Sequence, residues 1–431
     1  MLSFRFFTGA VCAVLALITF LPSVAWAQGG LDTGDTAWIL ISTGLVLFMM
    51  IPGLAMFYAG LVRTRNVLSV FMHCFGITAV VTVIWTVVGY SLAFSSGNPF
   101  IGDLSKAMLS GVTGQHLSGT IPELVFFVFQ MTFAIITPGL IVGAFAERMK
   151  FSAVLWFSGL WCIAVYLPIT HMVWGPEGYF GAMGVKDFAG GIVVHVTAGS
   201  AALVAAIMVG KRRGYPERPM PPHNMTMNLI GTAMLWVGWF GFNGGSALAA
   251  NGQAAMAVVV TQISPSVAAL VWIFIEWIRN GKPSALGFAT GAIAGLAAIT
   301  PAAGWVGPLG AVVIGIVSSL VAYWAATWLK STAGYDDALD VVGVHGFGGI
   351  VGTILVSFFA SSALGGTEEG LDMMGQLGAQ LTAIVGTAVY TLIISAIILK
   401  LVDVVVGLRV DEDIEVNGLD LGEHGEVGYD M

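Results

Sequence analysis

The feature that most constrains this chain is a succession of eleven apolar runs separated by charged or Gly/Pro-rich breaks. They cover about 37–60, 68–94, 122–146, 151–173, 188–210, 225–245, 254–277, 285–301, 305–329, 341–361 and 376–406. A helix of about 20 residues crosses the ~30 Å hydrocarbon core of a bilayer. Within lipid only helices and closed barrels satisfy their own backbone groups. The runs therefore predict an all-α polytopic membrane protein with eleven transmembrane helices. The breaks, such as Arg63-Thr64-Arg65, Lys211-Arg212-Arg213-Gly214-Tyr215-Pro216 and Gly281-Lys282-Pro283, carry the punctuation expected of loops. Composition agrees: 57% of the residues are hydrophobic and 9% charged.

The two ends read differently from the middle. Met1 to Ala27 has an early basic residue (Arg5), an apolar run from Val11 to Leu21, and Ala25-Trp26-Ala27 before Gln28. That pattern predicts a cleaved secretory signal over 1–27, with an uncleaved first transmembrane helix as the competing reading. The membrane domain then covers 28–406 and a tail covers 407–431. The tail explains the net charge of −8, because residues 411–431 hold eight acidic residues and no Lys or Arg. The rest of the chain is balanced, and no basic patch favours nucleic acid. Cys12, Cys74 and Cys162 suggest neither a disulfide framework nor a thiolate metal site.

Loop charge sets the orientation. With the mature N-terminus outside, the inner loops and tail junction carry thirteen Lys and Arg residues, and the outer loops only Lys106 and Lys186. The positive-inside rule then places the N-terminus on the periplasmic side and the C-terminus in the cytoplasm.

Two stretches break the apolar pattern in the same way. Asp187-Phe188-Ala189-Gly190-Gly191 leads to His195, and Asp340-Val341-Val342-Gly343-Val344 leads to His345. Ionisable groups inside apolar spans are costly and mark function. Their glycines suggest helices that approach closely and bring the two histidines together. His195 falls in span five and His345 in span ten. Spans 1–5 (about 37–210) and 6–10 (about 225–361) therefore read as a 5+5 inverted-topology repeat, with its site at the interface. A long eleventh helix, about 376–406, lies outside it. Gly287, Gly291 and Gly295 predict a close-packing face on span eight. Glu147, Arg148, Glu276 and Arg279 read as snorkelling or capping residues at helix ends, and His73 and His171 as packing residues. No spacing suggests metal ligands, and no cofactor is expected. A full charge at the bilayer centre costs roughly 3–15 kcal/mol, whereas a desolvated cation–π contact returns only about 2 kcal/mol. A cation able to shed its proton avoids that barrier, and neutral imidazoles can hydrogen-bond the resulting amine.

Longer motifs carry a resemblance. Phe126 to Phe151, His171-Met172-Val173-Trp174-Gly175, Asp187 to His195, Trp239 to Ser246, Thr300-Pro301-Ala302-Ala303-Gly304 and Asp340 to Gly349 occur jointly and in order. Through them residues 37–431 resemble the bacterial Amt branch of the Amt/Mep/Rh ammonium transporters. The resemblance implies transport of ammonium or ammonia rather than enzymatic catalysis, in a homotrimer of the bacterial inner membrane. It implies outer ammonium recruitment by Phe129, Trp174 and Ser246, a gate formed by Phe133 and Phe242, and a proton relay at His195 and His345. Asp187, Trp239 and Thr300 would support the site. For Asp187 two roles stay open, a helix cap and direct electrostatic help to a cation. The tail motif, Gly407-Leu408-Arg409-Val410 with Gly418-Leu419-Asp420 and Glu423-His424-Gly425-Glu426, resembles tails that dock a PII-type signalling protein. A solvated acidic tail without a partner is the alternative. Rival functions are a passive Rh-like gas channel, an ammonium sensor with little flux, and an unrelated ion-coupled transporter.

Overall fold

The computed structural model describes residues 30–430, and the expected signal segment, 1–27, lies outside them. The apolar runs form α1 (Thr33–Leu61), α2 (Thr64–Phe94), α3 (Glu123–Phe145), α4 (Phe151–Ala182) and α5 (Gly191–Val209). There follow α6 (Met225–Gly245), α7 (Gly252–Asn280), α8 (Ala285–Ile299), α9 (Pro308–Ala333), α10 (Val342–Phe359) and α11 (Met373–Val406). Among the described residues nine of these, all but α6 and α8, are long and apolar enough to cross a membrane. The chain is a multi-pass membrane protein. In α6, 21 residues long, Asn228, Asn243 and five glycines dilute the apolar character. The 15 residues of α8 rise only about 22 Å. Two short hairpins, Gly97–Asn98 with Ile101–Gly102 and Leu117–Ser118 with Ile121–Pro122, fold the loop between α2 and α3.

Local chemistry fixes the helix starts. The side chains of Asp32, Asn224, Asn251, Ser284 and Asp372 accept a first-turn N–H of α1, α6, α7, α8 and α11. Packing then sorts the helices by depth. In its most apolar window α3 is 89% buried, against 28% for α11, so α3 is central and α11 peripheral. The 34 residues of α11 lie across α4, α5 and α10. Small residues set the closest approaches. A Cβ on Gly349 of α10 would lie 2.8 Å from the His195 Cβ and 2.7 Å from the Gly191 carbonyl oxygen, and one on Gly199 of α5 would collide with the Gly346 backbone. The expected glycine face of α8 packs on α7, where a Cβ on Gly295 would come within 2.6 Å of the Pro265 Cα.

Glu147 and Arg148 correct the snorkelling expectation, because both side chains are buried. Glu147 Oε1 accepts from the Arg63 backbone N–H and Nε and from Asn66 Nδ2, while Oε2 meets Arg212 Nη1 at 3.2 Å. Arg148 donates to the carbonyls of Ala144, Gly210 and Asp336. Arg212 in turn grips both oxygens of Asp336. Snorkelling requires water at the helix end, but here the loops after α1, α5 and α9 fold over it. Burial raises the Glu147 carboxyl, but Arg63 and Arg212 hold it below the ordinary carboxylate range. Asp336 is likewise held low against burial by Arg212.

The acidic tail is not free in solvent. It forms α12 (Glu412–Asn417) and α13 (Leu419–His424) and packs against the body of the same chain. Glu415 pairs with Arg409 at 2.8 Å and accepts the Arg213 N–H. Asp420 accepts the Ser69 N–H at the start of α2, and Glu423 accepts the Phe151 N–H at the start of α4. Helix N-termini present unpaired N–H groups and a partial positive charge. These acids find a built-in counterpart there.

Candidate functional site

The histidines meet where α5 and α10 cross. Each sits in a wide π-helical turn that opens its helix, Gly191–Val196 for His195 and Val342–Phe347 for His345. Such turns interrupt regular hydrogen bonding and recur at functional sites. The two Nδ1 atoms are 3.2 Å apart and the rings nearly parallel, with centroids 5.2 Å apart and 11° between planes. Both residues are buried, and among the described residues His195 Nε2 has no hydrogen-bond partner. Two nitrogens at that distance share one proton: one donates and the other accepts.

Each turn is anchored by an aspartate eight residues before its histidine. Asp187 accepts four backbone N–H groups, from Gly190 and Gly191 on Oδ1 and from Ile192 and Val193 on Oδ2. This is the capping role in extended form. In the second half the equivalent residue is Asp337, whose Oδ2 accepts the Val342 N–H at 2.8 Å. Asp340, which heads the second stretch as Asp187 heads the first, instead pairs with Lys330. The shared eight-residue spacing was the signal that could have identified Asp337.

An aromatic stack leads to the histidines from one side. Phe133 and Phe242 are 4.3 Å apart between ring centroids, Phe129 meets Phe133 at 5.1 Å, and Trp174 stands edge-on to Phe133 at 6.1 Å. Trp174 donates its Nε1–H to the Asp187 carbonyl, which orients the indole. Ser246 caps α6, its Oγ–H donating to the Phe242 carbonyl at 2.8 Å. Trp239 stacks on His195 at 5.6 Å and donates to Thr300 Oγ1 at 2.9 Å. The Thr300 hydroxyl donates in turn to the Leu296 carbonyl. The structure thus connects all ten expected site residues through one continuous set of contacts.

The space between is narrow. A cavity of about 10 Å³ lies against Phe242, Trp239, Ile136, Leu140, His195 and His345, about the room one water requires. Beyond His345 a vestibule of about 320 Å³ opens toward the tail side, bordered by Tyr58, Tyr215, Arg218, Lys330 and Asp340. His171 is no part of this path. Its ring nitrogens face the Ala93 and Asn98 carbonyls, while His73 stacks on Phe151.

Comparison with known proteins gives a consistent result. The profile of the Ammonium Transporter Family matches residues 37–429. An ammonium transporter of Aquifex aeolicus is 44% identical over 96% of this chain and 98% of its own, and one of Bacillus subtilis is 45% identical over 93% and 99%. The crystal structure of Saccharomyces cerevisiae Mep2 superposes with a TM-score of 0.82 at 35% identity, covering 90% of this chain and 89% of its own. A structure titled Sensor Amt Protein gives 0.85 at 28% identity over 91% and 98%. With its match over residues 37–429 and its aromatic approach to a paired-imidazole crossing, the chain belongs to the ammonium transporter family.

Proposed function

We propose that this protein carries ammonium across a bacterial inner membrane by separating the proton from the nitrogen. NH₄⁺ gathers at Phe129, Trp174 and Ser246, where ring faces and a hydroxyl oxygen accept its N–H groups. It gives up its proton to the imidazole pair, whose far ring releases one into the vestibule, and neutral NH₃ passes Phe133 and Phe242 to the same rings. There the amine is hydrogen-bonded by His195 and His345, whose shared proton can shift between the two rings. A relay of that kind moves charge, so a membrane potential would drive uptake at about 2.3 kcal/mol per charge per 100 mV.

The observation that carries this reading is the 3.2 Å contact between the imidazoles beside a space of about 10 Å³. A hydrated cation does not fit there, and a bare one meets, besides the two imidazoles, only aliphatic and aromatic walls. Replacing both His195 and His345 with alanine should abolish selective ammonium-evoked current in proteoliposomes, and an unchanged current would remove the relay. Current measured with and without a pH gradient separates this mechanism from a passive gas channel, which carries none. Similarity to the structure titled Sensor Amt Protein keeps a sensing role in view. Growth of a transport-deficient host on limiting ammonium decides between flux and sensing.

The architecture proposed with this function has eleven spans, α6 and α8 included. Spans α1–α5 and α6–α10 form an inverted pair, supported by the repeated Asp-to-His spacing and the crossing of α5 with α10. Three copies form the working assembly, with the N-terminus periplasmic after signal cleavage and the tail cytoplasmic. The tail offers a surface for a PII-type protein. Truncation after Gly407 should eliminate such binding in a pull-down, and retained binding would move the surface elsewhere.

A further inference from the structure

Gln380 belongs to the peripheral helix α11, yet it is fully buried. An amide buried in an apolar span is costly unless its polar atoms are bonded, and here they are. Its Oε1 accepts the Lys186 N–H at 2.8 Å. Its Nε2 donates to the Lys186 carbonyl at 2.8 Å and to the Thr353 carbonyl of α10 at 3.2 Å. One side chain thus holds both backbone groups of Lys186, in the loop between α4 and α5, as an antiparallel neighbouring strand would. Gln376, one turn earlier, braces the same loop by donating to the Gly184 carbonyl at 2.9 Å and to Gln380 Oε1 at 3.2 Å. We propose that Gln380 is a positioning residue for ammonium recruitment, fixing Lys186 so that Asp187 holds Trp174 in place.

The residue after Lys186 is Asp187, whose carbonyl accepts the Trp174 Nε1–H at 2.7 Å and whose carboxylate caps α5. A shift of the Lys186–Asp187 peptide therefore moves the indole that receives the cation. The Lys186 side chain is tied as well. Its Nζ meets Glu368 at 3.2 Å and lies 4.9 Å over the Trp305 ring, which stands edge-on to Phe188. The Phe188 N–H donates to the Pro301 carbonyl at 3.1 Å, so Asp187 is fixed on both sides. A plainer role for Gln380 is glue between helices, which polar residues supply in membranes generally. α11 has such glue elsewhere, where Tyr390 donates to the Ala164 carbonyl and Ser395 accepts the Trp161 Nε1–H, both on α4. Those two bonds join helix to helix, whereas Gln380 grips a loop residue beside the site. The inference rests on the recruitment of ammonium at Trp174 proposed above.

Ammonium-evoked current in proteoliposomes of the full chain tests the proposal, with the half-saturation concentration read separately from the maximal current. Gln380→Met keeps the side-chain length and removes the bonds, and Gln380→Asn keeps the amide but falls one methylene short. Each should raise the half-saturation concentration about fivefold, the partial loss of one cation–π contact. Ser395→Ala removes a bond of α11 away from the site and should leave that concentration unchanged, whatever it does to the maximal current. An unchanged half-saturation concentration in the Gln380 variants would overturn the positioning role. So would an equal rise in Ser395→Ala, which would assign the effect to a loosened α11, or failure of both Gln380 variants to insert, which would make the residue a structural anchor. A wild type without current removes the recruitment reading and this role with it, whereas a conducting wild type beside unaltered Gln380 variants removes this role alone.

Discussion

Asp187 shows how much one side chain can hold. Its carboxylate accepts four successive backbone donors at the buried start of α5. Asn in its place presents an NH₂ group to two of those donors. Asp187→Asn should therefore cost roughly 2–4 kcal/mol of stability and displace His195, read as a lower unfolding midpoint in detergent with reduced ammonium uptake. Of the two roles left open for this aspartate, the capping one is visible in the structure. Legibility at this scale followed contrast. His195 and His345 stood out because an ionisable group is conspicuous in an apolar run, whereas Phe133 and Phe242 are two phenylalanines among 26 and were marked only by resemblance. Asp337 was missed because Asp340 lies nearer the histidine and looks more like a helix start. Glu147 and Arg148 were misread because a sequence shows that a helix ends but not which loops close over it.

At the scale of elements, the decisive arrangement is the contact of α5 with α10. Helix lengths and breaks were legible because hydrophobic length is a one-dimensional property. The π-helical turns were not, since nothing in Gly191–Val196 or Val342–Phe347 announces a wider winding. Gly199 and Gly346 set the separation at the crossing, so Gly199→Val should force the two helices apart. About 1–3 kcal/mol of overpacking strain is expected. The protein should still insert while the imidazole contact opens and uptake falls, which a structure of the variant together with a transport assay would check.

Across the whole molecule, the tail side is held by ion pairs and the centre by close apolar packing. Glu147 and Asp336 have folded carboxyls held below the ordinary range. Their contribution to stability is complete above the unfolded value of about 4 and is lost as pH falls through the lower folded values. Against the opposing gain from Asp337, whose carboxyl burial pushes up to about 6, their share of the thermal stability in detergent should be level from neutral pH to about pH 5 and decline below about pH 4. Arg212→Ala removes the shared cation and costs about 3–5 kcal/mol by stranding buried carboxylates. It also raises their folded values, so the acid decline should begin at a higher pH. On the proposed route past the histidines, the compartment of about 10 Å³ also limits throughput. With room for a single small occupant, passage is strictly serial, each molecule waiting for the one ahead to clear. A cell needing more nitrogen is then served by more copies of the chain rather than by a wider opening in each.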